Sequence, residues 1–208
     1  MSRFGSDPLS FFETVYREKA PWDMAGPQPA MVSLLAEYPP DGPVLDLGCG
    51  TGDLAIHLAT SGVETIGVDF VELAVNQAQA KKAALPPEVA SRLDFHVADA
   101  LHPSLLRKTF GAVVDSGFFH LFDPEQCETL LDELPKVFRQ GGRYYLHEFA
   151  VTFPVPNVPR QVTEAELRDR FTVDQGWRIL TVRSGEFLSR VASVPATLAC
   201  VEYLGMPE

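Results

Sequence analysis

The densest chemistry in this 208-residue chain lies in VLDLGCGTG, Val44 to Gly52, where the carboxylate of Asp46 is followed by Gly48, Gly50 and Gly52. Glycines at alternate positions let a backbone turn approach a ligand that side chains would hold away. Gly50, Gly52 and Ala55 satisfy the G-x-G-x-x-G/A spacing with which a strand-to-helix turn receives a dinucleotide, and Asp69 follows at the end of the next apolar run. Asp46 opposes that reading. Its carboxylate would point into the space where a doubly anionic pyrophosphate rests on a helix N-terminus. Like charges about 4 Å apart repel by roughly 4 kcal/mol at an effective dielectric of ~20, more than an ordinary hydrogen bond returns. The same carboxylate suits a cationic ligand without phosphate, and S-adenosylmethionine is such a ligand. Asp46 would hold its methionyl ammonium, directly or through water, while its carboxyl group meets N–H donors at the start of the following helix.

DLGCGTG resembles motif I of the class I S-adenosylmethionine-dependent methyltransferases, and the later strand ends match that family in order over about residues 20 to 150. The resemblance implies S-adenosylmethionine as cofactor, S-adenosylhomocysteine as product and no metal. It assigns Gly48, Cys49, Gly50 and Gly52 to the cofactor turn, with Asp46 beside them. In IGVDF it places Asp69 at the two ribose hydroxyls and Phe70 against the adenine. In HVADAL it places Asp99 at the adenine amino group with the Ala100 amide near the ring, and it adds Asp115 at the end of the fourth strand. Each acid also has a local reading as a turn or cap residue. Trp22, in PWDMAGPQP, resembles the N-terminal cofactor-covering segment of small-molecule methyltransferases of the thiopurine methyltransferase type, although packing alone also explains a tryptophan there.

Methyl transfer from a sulfonium is an in-line displacement on carbon, so the protein must align the acceptor and exclude water. A thiolate needs no further help, whereas a phenol or alcohol needs a base within hydrogen-bond reach. After the fourth strand the chain reads DSGFFHLF, not the Asn/Asp-Pro-Pro-Tyr of enzymes that methylate planar amino groups. His120 is the candidate catalytic base or acceptor contact, with a structural role as its alternative. His147 and Glu148 are similar cases, and alternation along a strand lets only one of them face the site. Phe119 and Arg160 are candidate acceptor-site residues, and Phe118 and Phe122 add apolar texture suited to a small lipophilic molecule. Arg160 has a surface ion pair as its alternative.

These residues need a sheet with its strand ends together. Short runs rich in Val, Ile and Leu predict strands at 43–47, 64–69, 93–99, 110–115 and 141–149, alternating with segments of helical period. Val71, Ala74, Val75 and Ala78 share one helical face, as do Cys127, Leu130, Leu131, Leu134 and Phe138. DPEQ at 123–126 and TEAE at 163–166 are capping boxes that start helices, and Pro135 predicts a kink or early stop near the end of the first. WRILTVRSGEFL and TLACVEYL follow without a helical segment between them and read as an antiparallel hairpin at the sheet's edge. The expected fold is α/β, a Rossmann-like seven-stranded, mostly parallel sheet with a C-terminal antiparallel hairpin and helices on both faces. It forms a single domain over 1–208: an N-terminal helical lid at 1–42, a cofactor-binding core at 43–150, and a C-terminal helix with antiparallel strands at 151–208.

Composition narrows the partners. A net charge of −11 argues against nucleic acid, which needs clustered Lys and Arg. Cys49, Cys127 and Cys200 form no CxxC pair and read as reduced thiols, and no apolar run suits a signal peptide or a membrane span. The expectation is a cytoplasmic methyltransferase, monomer or homodimer, acting on a small thiol, heterocycle or phenol. An NAD(P)-dependent oxidoreductase and a non-catalytic S-adenosylmethionine-binding protein are the alternatives.

Overall fold

The computed structural model describes residues 4–18, 20–155 and 157–205. Helices α1 (Pro8–Arg17) and α2 (Pro29–Glu37) precede the first strand. Asp7 caps α1 by accepting the Ser10 N–H at 3.1 Å, and each helix carries proline in its first turn, where a missing N–H costs no hydrogen bond. The alternating part follows with β1 (Val44–Leu47), α3 (Asp53–Thr60), β2 (Thr65–Asp69), α4 (Glu72–Ala83), a one-turn α5 (Pro87–Ala90) and β3 (Leu93–Val97). The chain then forms β4 (Phe110–Ser116), α6 (Pro124–Val137), β5 (Phe138–Phe149), α7 (Glu164–Arg170) and the hairpin of β6 (Trp177–Leu188) and β7 (Ser193–Tyr203).

The strands make one seven-stranded sheet in the order β3-β2-β1-β4-β5-β7-β6. Strands β1 to β5 pair in parallel, and β7 runs antiparallel between β5 and β6. The order reverses at β1 and β4, the switch point where an open sheet leaves a crevice beyond its carboxyl ends. Alternate strand residues feed different layers. Leu45, Leu47 and Val113 pack with Cys127, Leu130 and Leu134 of α6, whereas Val44, Ala112 and Val114 pack with α2 and α3. Helices therefore cover both faces, as expected, and the hairpin closes one edge.

The helix starts are also where the sequence puts them. Asp123 accepts the Gln126 N–H at 3.0 Å while Gln126 Oε1 accepts the Asp123 N–H at 3.3 Å, and Thr163 accepts from Glu166 N at 3.1 Å. Three boundaries differ. Strand β3 stops at Val97, so Asp99 lies beyond it in a turn rather than at a strand end. Strand β5 begins at Phe138, directly after α6, and slips register against β4 before Arg143. Gly141, at φ 80°, permits that bulge. Pro135 stands inside α6, which continues two residues to Val137; so close to the end it removes one N–H from the final turn only. No helix among the described residues is long and apolar enough to cross a membrane.

Candidate functional site

The carboxyl ends of β1 and β2 open into a cavity of about 270 Å³ whose lining includes Asp46, Gly48, Cys49, Gly50, Asp69 and Phe70. The turn between β1 and α3 can only take this path with glycine. Gly48 sits at φ 63°, and a methyl group there would overlap the Phe118 ring; Gly50 sits at φ 53°, and a methyl group there would lie 2.9 Å from the Tyr16 hydroxyl. Asp69 fixes the turn from the neighbouring strand. Its Oδ2 accepts the Gly50 N–H at 2.9 Å and its Oδ1 the Val71 N–H at 2.9 Å.

Asp46 differs from Asp69 in having a buried oxygen, Oδ2, with no hydrogen-bond partner. The residue is 2% exposed. Burial pushes its carboxyl well above the usual carboxylate range, and the neighbouring carboxyl of Asp115 adds to the rise, as do Asp69 and Asp53, against the Ala55 backbone N–H. A buried carboxyl with one oxygen unpaired beside a cavity is a defect in the isolated protein that a cationic ligand would relieve. The methionyl ammonium of S-adenosylmethionine meets that need, and the glycine turn supplies close backbone approach. The residues present fit this cofactor. Cys49 does not compete for it as a charged group, because burial, with Asp46 and Asp69 nearby, raises its thiol and keeps it neutral.

The rest of the cavity is aromatic. Phe12, Tyr16 and Trp22 come from the N-terminal segment, with the Trp22 ring edge-on to Tyr16 at 6.2 Å and to Phe12 at 6.4 Å. Phe118, Phe149 and Phe187 wall it from the β4 end, β5 and β6, and His120 stands among them. This segment is held in place by Gln28. Its side-chain amide donates to Leu188 O at 2.8 Å and accepts from Leu188 N at 2.9 Å, as a neighbouring strand would.

The cavity thus gathers Trp22, Asp46, Gly48, Cys49, Gly50, Asp69, Phe70 and His120. Six further candidates lie outside its lining. Gly52, at φ 85°, packs against Phe95 and gives α3 its close approach to β3. Asp99 is exposed, accepting the Leu101 N–H at 3.0 Å, and Ala100 is buried in the core. Asp115 is fully buried, its Oδ1 accepting from Phe118 N at 2.9 Å and Phe119 N at 3.2 Å and its Oδ2 from the Tyr144 hydroxyl at 2.7 Å. Phe119 is buried beneath Arg160, whose guanidinium lies 5.0 Å from its ring centroid. Arg160 itself donates to Phe122 O at 3.1 Å, to Glu166 Oε2 at 2.7 Å and to Cys127 Sγ at 3.3 Å, so it anchors the loop before α7.

Sequence reading passed over Tyr16, Gln28, Phe149 and Phe187. The helical i, i+4 spacing of Phe12 and Tyr16 was a signal for the first. Gln28 and Phe187 had none, since their roles depend on the C-terminal hairpin returning to the N-terminal segment. Among the described residues no group of three or more His, Cys, Asp or Glu side chains is arranged to hold a metal ion.

Comparison with known proteins agrees with this geometry. Residues 44–142 match a family model described as a methyltransferase domain. The chain is 30% identical over 179 residues to the 2-heptyl-1-hydroxyquinolin-4(1H)-one methyltransferase of Mycobacteroides abscessus, covering 81% of this chain and 76% of that protein. A solved structure concerned with the conversion of a disulfide bond into a thioacetal group during echinomycin biosynthesis superposes with a TM-score of 0.78 at 27% identity, over 94% of this chain and 92% of that one. Magnesium protoporphyrin IX methyltransferase from Synechocystis PCC 6803, solved with bound S-adenosylmethionine, superposes at 0.63 with 25% identity, over 84% and 76% of the two chains. With the switch-point turn, the unpartnered Oδ2 of Asp46 and these relatives together, the chain belongs to the S-adenosylmethionine-dependent methyltransferases.

Proposed function

We propose that the protein transfers the methyl group of S-adenosylmethionine to a small, flat, lipophilic acceptor, a phenol, heterocycle or thiol. The observation that carries this reading is the single cavity that joins the Asp46–Gly50 turn to a wall of Phe118, Phe149 and Phe187. Aromatic walls favour flat rings, which stack at low entropic cost and displace water from the reaction. A polar peptide or nucleic-acid acceptor would find few partners there. The relative in M. abscessus is named for a hydroxyquinolinone, a flat heterocycle that fits the same description.

Within this reading Asp46 holds the methionyl ammonium, Asp69 the ribose hydroxyls, and Phe70 and Trp22 flank the nucleoside. S-adenosylmethionine supplies the methyl group on a sulfonium, a leaving group that needs no acid. The protein's own task is to place the acceptor behind that methyl group and keep water out. The N-terminal segment, fastened by Gln28, does the second.

The test is product analysis with S-adenosylmethionine and a panel of phenols, N-hydroxy heterocycles, heterocyclic thiols and amines. Formation of S-adenosylhomocysteine with a methylated aromatic acceptor is expected. Cofactor binding with no methylation of any member would indicate a non-catalytic binding protein instead.

A further inference from the structure

The loop between β5 and α7 is apolar where a surface loop is ordinarily polar. Its sequence, TFPVPNVPR at 152–160, holds a phenylalanine, two valines and three prolines within seven residues. The loop starts where β5 ends, at the carboxyl side of the sheet, and its base is tied down. Thr152 Oγ1 donates to Gln161 Oε1 at 3.3 Å and the Gln161 amide to Ala150 O at 2.8 Å, while Arg160 N donates to His120 O at 2.8 Å.

From that base an apolar strip runs from the cavity to solvent. Val158 and Pro159 line the cavity, as does Phe149 at the end of β5. The half-buried Phe153 ring stands edge-on to Phe149 with centroids 5.5 Å apart, and Val155, two residues further on, is 57% exposed. Phe149 in turn meets Phe187 at 4.8 Å, so the strip prolongs the aromatic wall of the cavity outward. Proline carries no N–H, which leaves the strip few donors for an adjoining molecule to satisfy, and its fixed φ leaves the loop little freedom to lose on binding.

The size and charge of the surroundings select the occupant. A protein partner needs about 800 Å² of surface on each side, far more than a half-buried ring and an exposed valine supply. A net charge of −11 opposes an anionic lipid surface. A chain attached to a molecule inside the cavity needs only a narrow apolar strip that begins there, and this strip does. We propose that the methyl acceptor carries an aliphatic chain, that the chain leaves the cavity along Phe149, Phe153 and Val155, and that Val155 is a specificity-determining residue for chain length. This rests on the small-molecule methyltransferase reading above. The flat ring then occupies the cavity and the chain points outward. Each methylene laid on the strip leaves water, so binding strengthens with length until the chain passes Val155.

The experiment uses phenols and benzenethiols alkylated at the 3- or 4-position, from methyl to octyl, with S-adenosylmethionine. Along the series KM should fall roughly two- to fourfold for each added methylene and then level off, with kcat little changed. Val155→Asp puts a carboxylate in the path of the chain and should lower the hexyl-to-methyl ratio of kcat/KM at least about tenfold. Val173→Asp, at a similarly exposed valine in the turn after α7, should keep the parent's ratio. S-adenosylhomocysteine affinity within about twofold of the parent certifies that each variant is folded. The same KM at every length, or a gradient that Val155→Asp leaves intact, overturns the proposal, and methylation in that series leaves the methyltransferase reading standing. Binding to the S-adenosylhomocysteine complex that tightens with length and is weakened by Val155→Asp, with no member methylated, supports the path of the chain and overturns the methyltransferase reading instead. A flat series together with sedimentation on phosphatidylcholine vesicles that Val155→Asp abolishes assigns the strip to a lipid surface and overturns the proposal, as does failure of every member to bind.

Discussion

The Asp69 carboxylate and the Gly50 N–H, from different strand-to-helix turns, are joined by a 2.9 Å hydrogen bond that sets the height of the glycine turn over the cavity. Both Asp69 oxygens hold backbone N–H groups and still have lone pairs for a ligand's hydroxyls. Asp69→Ala is expected to weaken S-adenosylmethionine binding by at least about 1 kcal/mol, the scale of a hydrogen bond to a charged group, and to lower stability as well. Calorimetric titration checks the first and chemical denaturation the second. Unchanged affinity would remove Asp69 from the cofactor site.

Gly48 cannot be enlarged. Gly48→Ala combines a left-handed backbone with overlap against Phe118, and a cost of about 1–3 kcal/mol in stability is expected. Since Phe118 is also in the cavity wall, acceptor KM should rise with it. A variant as stable as its parent, with the same KM, would mean that the turn has another conformation in solution.

The clasp between Gln28 and Leu188 joins the N-terminal segment to the end of β6. Pro21 O adds a second link by accepting the Arg190 N–H at 2.9 Å. Gln28→Ala leaves the Leu188 peptide without either partner, which should cost roughly 1–3 kcal/mol. Limited proteolysis should then cut within the first 27 residues at a protease concentration that leaves the parent intact, and equal resistance would show that the clasp does not hold the segment.

Burial lowers His147 to about 4, its Nε2 lying 3.0 Å from Glu186 O and its ring stacked on Phe187 at 4.6 Å. An unfolded histidine titrates near 6.5, so between about pH 6.5 and pH 4 the unfolded chain binds the extra proton. Stability attributed to His147 is complete above that window and is lost as pH falls through it, by at most about 3 kcal/mol. Glu148 acts in the opposite sense, because its raised carboxyl binds a proton more tightly in the folded state between about 4.5 and about 7. The separate measurement is the NMR titration of the His147 ring, which should remain neutral at pH 5.5. A midpoint near 6.5 would contradict its burial.

The legible parts of this protein were those whose causes are local. Strand β1, the glycine turn and Asp69 stand within 26 residues of sequence, and the apolar runs, caps and positive-φ glycines that place them are all short-range signals. Asp99 and Asp115 read as strand-end acids for the same reason; Asp99 lies in the turn just after β3, and Asp115 accepts hydrogen bonds from Tyr144 and two backbone N–H groups. The pairing of His120 with Glu148 spans 28 residues and depends on β5 lying beside β4; the Gln28 clasp spans 160 and depends on the hairpin's return. Alternation along β5 allowed one of His147 and Glu148 to face the site, and it is Glu148 that reaches His120. Arg160, read in the sequence as an anion contact, has four acceptors within 3.3 Å, Phe122 O, Gln161 O, Glu166 Oε2 and Cys127 Sγ, that hold the loop before α7.

Asp46 decides the matter most directly, through the protons exchanged when S-adenosylmethionine binds. Its carboxyl is raised in the isolated protein by burial and by Asp115, Asp69 and Asp53, and an ammonium beside it would lower it again. Binding should therefore release a proton wherever the free carboxyl still holds one, with affinity falling as pH drops. Calorimetry over a pH series, in buffers of different ionisation enthalpy, measures that release. It should disappear in Asp46→Asn, which should bind S-adenosylmethionine at least tenfold more weakly, about 1.4 kcal/mol, and be more stable than its parent without ligand at pH 8. The same affinity and the same proton count in both proteins would show that the ammonium does not sit at Asp46.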